Sequence, residues 1–298
     1  MKDKICLITG ASSGIGKATA LGLARMGATV VLVCRDRARG EAALAEARAA
    51  TDGQNAAGDR RAALLLADLS SQAAIRQLGQ EFKARFSHLH VLINNAGLAP
   101  SARSITVDGI ETVFAVNYLA PFLLTNLLLE VLKASAPARV VNVAGDFHRK
   151  ATINFDDLMF ENSYSGIRAN NQAKLALILF TYELARRLEG SGVTVNCLHP
   201  GAVATGAPLK DPHLSPLARF MYGLVKPFFL SPEKGAETSI YLASSPQVEG
   251  VSGKYFIKKK AMASSPESYN AEIARRLWQV SEGLIRETQR REVSHGSG

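Results

Sequence analysis

The sequence predicts an α/β fold, with a doubly wound parallel sheet covered by helices on both faces. Three observations carry this. Short β-branched runs alternate with longer helical patterns along the chain; a glycine-rich turn follows the first strand-like run; and no Pro/Gly/Ser-rich linker divides the 298 residues. Parallel neighbours need crossover connections, and these put helices on both sides of the sheet. One domain over residues 1–257 is expected, with a C-terminal extension over 258–298. No internal repeat at a solenoid period is present.

Taken in order, the first strand is expected at 5–9 and the first helix at 14–26. Strands two and three fall at 29–33 and 63–66, separated by an Ala/Arg/Glu-rich helix. The fourth strand is expected at 91–93, with a long apolar helix at 113–132 behind it. The fifth falls at 139–143. A helix at 171–188, closed by Glu189-Gly190, leads to a sixth strand at 193–198, and the last strand is expected at 254–257. Residues 201–231 contain Pro208, Pro212, Pro216 and Pro227 among Phe220, Met221, Tyr222, Leu224, Phe228 and Phe229. An apolar, proline-broken stretch of this kind is expected to form a lid that orders over a ligand. Ser265-Pro266-Glu267 reads as a helix start, and Ile273, Leu277, Val280 and Leu284 mark one apolar helical face.

Composition narrows the partners. The 35 basic and 26 acidic residues give a net charge of +9, spread along the chain. This suits an anionic cofactor and permits weak peripheral attraction to acidic membrane surfaces. Nucleic-acid binding is not expected, since no aromatic-studded basic strip or known module appears. The chain enters its first strand directly, without the apolar stretch of a signal peptide. The longest apolar run is broken by Pro121, Thr125, Asn126 and Glu130, so no membrane span is expected. Cys6, Cys34 and Cys197 are odd in number and sit in apolar runs, as reduced thiols of a cytoplasmic protein would. No cluster has metal-ligand spacing.

Gly10-Ala11-Ser12-Ser13-Gly14-Ile15-Gly16 lies between the first strand and the first helix. Glycines there let the backbone turn tightly and approach a pyrophosphate, whose charge the helix N-terminus favours. This is the dinucleotide-binding turn of a Rossmann fold. At the end of strand two, Arg35 suits a ribose 2′-phosphate, whereas an acid would suit the 2′-hydroxyl. Asp36 beside it leaves the choice open, but Arg35 favours NADP(H). Asp68, with Leu69 after it, stands where a carboxylate meets an adenine amino group.

With these residues in hand, the chain resembles the short-chain dehydrogenase/reductase family over essentially its whole length. It looks closest to the branch holding retinol dehydrogenases and protochlorophyllide-reductase-like enzymes. Thr9 and Gly10–Gly16 match the family's TGxxxGIG motif, and Asn94-Asn95-Ala96-Gly97 matches its NNAG motif. Asn117 matches its active-site asparagine, and Lys174 the lysine of its Tyr-x-x-x-Lys pair. His199-Pro200-Gly201, with Val203 and Thr205, matches the segment that closes over the nicotinamide. The branch is suggested by residues 33–36, 153–158, 183–188 and 276–278. The resemblance implies a nicotinamide cofactor, an apolar small-molecule substrate and self-association, for which the helices at 113–132 and 171–188 offer apolar surface.

The departures cluster at one pocket. The family's catalytic serine falls at Gly145 and its tyrosine at Asn170, while Ala173 and Leu177 stand where a serine and an asparagine are common. An amide donates hydrogen bonds but does not ionise near neutral pH, so Asn170 is no general acid. It can still stabilise a developing oxyanion. Lys174 can hold ribose hydroxyls or act as an acid through water, and Asn117 is expected to feed protons towards it. Asp146, His148, Tyr118, Tyr164 and His199 are further titratable candidates, with structural roles favoured for His148, Tyr164 and His199. The residues fit an atypical oxidoreductase acting on a hydrophobic carbonyl, olefin or polycyclic compound. Two alternatives stay open: a non-redox cyclase or isomerase that keeps its nucleotide site, and a silent NADP(H)-binding protein. A decayed enzyme, a deliberately disarmed variant and a repurposed one would all carry these substitutions.

Overall fold

The computed structural model describes residues 1–50, 61–203, 223 and 229–295. The strands are β1 (Ile5–Thr9), β2 (Thr29–Cys34), β3 (Ala62–Leu66), β4 (Val91–Asn94), β5 (Ala138–Val143), β6 (Val193–His199), β7 (Lys254–Ile257) and β8 (Lys260–Met262). They form one sheet in the order β3-β2-β1-β4-β5-β6-β7-β8. All neighbours are parallel except β7 and β8. The order runs outward both ways from the β1–β4 seam, so the C-terminal ends of those strands diverge into a crevice where ligands bind.

The helices are α1 (Gly14–Arg25), α2 (Arg37–Ala49), α3 (Gln72–Arg85), α4 (Thr112–Ala134), α5 (Gly166–Arg187), α6 (Pro232–Ser244) and α7 (Ala271–His295). Strand alternation sorts the core. Leu7, Val31, Leu65, Leu92 and Val140 face α3, α4 and α5. Ile8, Val30, Leu32, Ile93 and Val141 face the layer of α1, α2 and α6. Parallel strands buried on both faces read as continuous apolar runs, which is why they stand out in the sequence. Gly22 and Gly235 let α1 and α6 pack closely, since a Cβ on Gly22 would meet Ile240 of α6 and one on Gly235 would meet Ile15 of α1.

Several boundaries differ from expectation. α4 is long and apolar enough to cross a membrane by length and composition, yet 78% of that stretch is buried in the protein, as in a core helix. It holds a π turn at Ala115–Leu119. Its start is fixed by Glu111, whose two carboxylate oxygens accept from the backbone N–H groups of Val113 and Phe114 at 3.0 and 2.8 Å. α5 begins five residues before the expected 171. Ser265-Pro266-Glu267 opens only a 3-10 turn, Pro266–Tyr269. The helix proper starts after Asn270, whose side chain accepts from Glu272 and Ile273 at 3.0 and 3.1 Å.

The strand β8 has no counterpart in the sequence reading. It forms because Lys258 and Lys259 both take left-handed φ values, 48° and 65°, as a two-residue hairpin demands. Lysines are costly there compared with Asn-Gly, but charged residues keep the exposed edge from pairing with another chain.

The face that α4 and α5 were expected to offer to a second copy is covered by α7. Trp278 packs against Phe122 of α4 and Phe180 of α5, with ring centroids 4.8 and 5.8 Å away. The Arg187 guanidinium lies 4.0 Å from the Trp278 ring centre. Tyr118 and Ser281 share a buried hydrogen bond of 2.7 Å. The three cysteines are free and buried, and burial pushes Cys6 and Cys197 up to about 12 and Cys34 to about 11.

Candidate active site

The turn after β1 closes on the backbone of β2, with Gly10 N–H donating to Val33 O at 2.9 Å. Gly10 and Gly14 adopt φ values of 68° and 57°, where a side chain is disfavoured. A Cβ on Gly16 would overlap the Asn95 amide and the Gly10 carbonyl, so glycine alone lets the turn approach both. Ser13 caps α1 without a side-chain bond, which leaves the first-turn N–H groups aimed outward. Ile15 of that turn packs with Val203 against Gly235. These features fit a pyrophosphate: a cradle that a Cβ would fill, beside a positive helix end.

Three strand ends line up next to it. Ala67 N–H donates to Cys34 O at 3.0 Å. Arg35 is exposed at the end of β2. Asp36 is otherwise engaged: its carboxylate caps α2 by accepting from Arg39 N–H at 2.8 Å, which holds its pKa below the usual range. Asp68 spends one oxygen on the Ser70 N–H and hydroxyl, at 2.9 and 2.8 Å, and keeps the other. Leu69 beside it is half-buried.

Thr9 joins the two halves. Its hydroxyl accepts from the N–H groups of Asn95 and Ala96, both at 3.0 Å, while the Asn95 amide donates to Thr9 O at 2.9 Å. Below them runs a buried polar chain that the sequence reading missed. Asn94 donates to Asn142 at 2.8 Å, Asn142 to Thr181 at 2.9 Å, and Thr181 to Leu177 O at 2.8 Å. Two asparagines ending adjacent buried strands were its only signal.

The centre lies where β4, β5, α4 and α5 meet. Asn117 sits in the π turn and grips the backbone of Leu98, accepting from its N–H at 2.9 Å and donating to its carbonyl at 2.8 Å. The same Asn117 amide donates to Asn170 Oδ1 at 3.1 Å. Asn117 therefore works through its side chain and orients Asn170, which then has its own NH₂ left to donate. Lys174 Nζ donates to Val143 O at 3.1 Å, and burial lowers its pKa to about 8. A Cβ on Gly97 would lie 3.4 Å from Asn117 Oδ1 and 3.6 Å from Lys174 Nζ. So Gly97, Asn117, Asn170 and Lys174, spread over the sequence, converge on one spot.

The family model for short chain dehydrogenase matches residues 4–211. The chain belongs to the short-chain dehydrogenases. It is 47% identical to retinol dehydrogenase 14 of Mus musculus over 96% of this chain and 86% of that protein. It is 45% identical to mouse retinol dehydrogenase 12 over 95% and 86%. Among solved structures, an uncharacterised protein from Mycobacterium paratuberculosis superposes with a TM-score of 0.73 at 32% identity, covering 96% and 94%. A Pseudomonas aeruginosa RhlG/NADP complex does so at 0.66 and 27%, covering 90% and 97%.

In this short-chain dehydrogenase Gly145, where the sequence reading expected the family's serine, stands in a built turn. Gly145 has φ 153°, and its carbonyl accepts from His148 Nδ1 at 2.9 Å and from the Tyr255 hydroxyl at 3.1 Å. A Cβ there would meet only the Phe147 ring, at 3.8 Å, so an exposed aromatic face stands beside the missing hydroxyl. His148 is buried with both nitrogens used: Nε2 accepts from Ser265 N–H at 3.1 Å. That fixes it as a neutral, structural histidine. Tyr164 donates to Glu111 at 3.4 Å, and Asp146 pairs with Arg149 at 2.6 Å. Tyr118 is spent on Ser281, so none of these three reaches the centre as an acid. His199 Nδ1 is buried and makes no hydrogen bond among the described residues.

Gly201 turns with φ 89° after Pro200, and Val203 bridges to Leu230, so the two ends of the 201–231 segment meet. Thr205 and most of the expected lid lie outside the described residues.

Proposed function

We propose that the chain is an NADP(H)-dependent oxidoreductase of an apolar carbonyl compound, in which Asn170 and the retained Lys174 take over the work of the usual tyrosine and serine. The carrying observation is the Asn117–Asn170 bond. It fixes the Asn170 carbonyl as acceptor and leaves its NH₂ to donate, one helical turn before Lys174 on α5. When bound, the nicotinamide supplies the hydride. Asn170 donates to the substrate oxygen and stabilises charge as it develops. Lys174, its pKa lowered by burial to about 8, delivers the proton to that oxygen through water as the C=O bond becomes C–H and O–H, and solvent reprotonates it. Phe147 gives the substrate an apolar wall. The mouse relatives' names, retinol dehydrogenases, favour an extended apolar substrate.

NADPH oxidation against apolar aldehydes, retinal among them, tests the reading. Conversion of substrate without a redox change would select a non-redox enzyme, and bound nucleotide without turnover a binding protein.

The cofactor preference rests on Arg35, with Asp36 withdrawn into its cap and the Pseudomonas aeruginosa relative solved with NADP. Isothermal titration should show Arg35→Ala losing about 1–3 kcal/mol of NADPH affinity, with NADH affinity little changed. Equal affinities before and after would remove the assignment.

Restoring the family residues should not accelerate the native reaction. Gly145→Ser forces a side chain into φ 153°, at a cost of order 1–3 kcal/mol in thermal or urea unfolding. Asn170→Tyr removes the acceptor of Asn117 but should introduce weak carbonyl reductase activity towards small ketones. A large gain in the native conversion instead would mark the site as a damaged reductase.

A further inference from the structure

Three of the exposed large apolar side chains among the described residues share one region. Phe147, Met262 and Tyr269 are 62%, 52% and 53% exposed, and hydrogen bonds tie their segments together. Arg149 donates to Ala263 O at 3.2 Å, Ser265 N–H to His148 at 3.1 Å, and Ser264 N–H to the Tyr269 hydroxyl at 3.1 Å. The three therefore lie along one side of the molecule, at the free edge of the sheet made by β8.

The same edge is cationic. Arg149 and Lys150 flank Phe147 in the turn Phe147–Lys150, and Lys258, Lys259 and Lys260 form the hairpin that leads to Met262. All five are exposed. Two carboxylates face them: Asp146 pairs with Arg149 at 2.6 Å and Glu237 with Lys259 at 2.8 Å. Lys150, Lys258 and Lys260 have no carboxylate within ion-pair distance among the described residues.

We propose that this edge docks on an anionic phospholipid surface, with Phe147, Met262 and Tyr269 entering the headgroup region and the lysines meeting lipid phosphates. Aromatic and thioether side chains between lysines suit such an interface, because one end of each is apolar and the charges remain wet. A protein partner of matching acidity would also need an apolar groove for three separate side chains. A fluid bilayer accepts them without one. Phe147 also borders the site at Gly145, so docking would bring that end of the crevice to the membrane. The surface itself does not depend on the reaction proposed above.

Cosedimentation of the full chain with phosphatidylcholine vesicles, with and without phosphatidylserine, tests this. Binding is expected to the anionic vesicles, falling as salt rises. Each lysine near the surface contributes about fivefold to the partition. Lys258→Glu with Lys260→Glu should therefore reduce binding by more than about 25-fold. Met262→Asp should weaken it at both low and high salt, showing that insertion accompanies charge attraction. Residues 258, 260 and 262 are exposed, and unfolding curves matching the parent's would show that each variant folds. Equal partition of parent and variants, no binding to either vesicle, or binding to an acidic polymer such as heparin but not to vesicles would overturn the proposal.

Discussion

Lys174→Met is expected to lower turnover by ~10²–10⁴-fold, the usual worth of a positioned general acid. The parent's reductive rate should be flat below the Lys174 pKa of about 8 and fall above it. Burial disfavours the ammonium, so the folded pKa is depressed and the proton is lost at a lower pH than in a free lysine. The variant should lose this limb of the profile. Lys174→Arg sharpens the test, since arginine keeps a charge for ribose hydroxyls but does not release a proton. If Arg restores turnover, Lys174 serves binding alone and the proton comes from solvent. Stopped-flow measurement of single turnovers, beside titration of cofactor affinity, separates the two.

Trp278→Ala should destabilise the protein by about 3–5 kcal/mol, as large buried aromatics do when truncated. Trp278 is 6% exposed and is the residue through which α7 grips both α4 and α5. Arg187 loses its ring partner in the same step. Urea unfolding gives the magnitude. Light scattering gives a second reading, because loosening α7 bares the apolar face that the helix covers. The parent is expected to leave that face unavailable to a second copy, and the variant to gain mass with concentration. A variant of parental stability would mean that α7 rests on the core without holding it.

The strands and the phosphate-facing turn were legible because their signals are local. β1 to β7 are short, mostly apolar runs, several of them rich in β-branched residues, and the Gly10–Gly16 turn is a compact pattern between a strand and a helix. What escaped depends on geometry that sequence distance hides. β8 rests on two lysines in a conformation that their type disfavours. The pairing of Asn117 with Asn170 spans 53 positions. Asn117 stood out in the sequence, but its grip on Leu98 rests on a π turn that has no sequence signature. Gly145 read as an absence, whereas its φ and its twice-accepted carbonyl make it a built turn. α7 was visible as an amphipathic helix, but nothing in its pattern said which face of the sheet it would take.

The π turn of α4 also carries a consequence for how length can vary here. A π turn is, in effect, one surplus residue carried inside an α-helix. Deleting any single residue between 115 and 119 would let the helix relax to regular winding without breaking it. The two flanking segments would stay helical and keep their faces, and only the residues inside the turn would change direction. Asn117 would then leave Leu98, and Asn170 would lose its orienting donor, while the fold survived. The Asn117–Asn170 corner of this protein is thus sensitive to the count of residues in α4, independently of their identity.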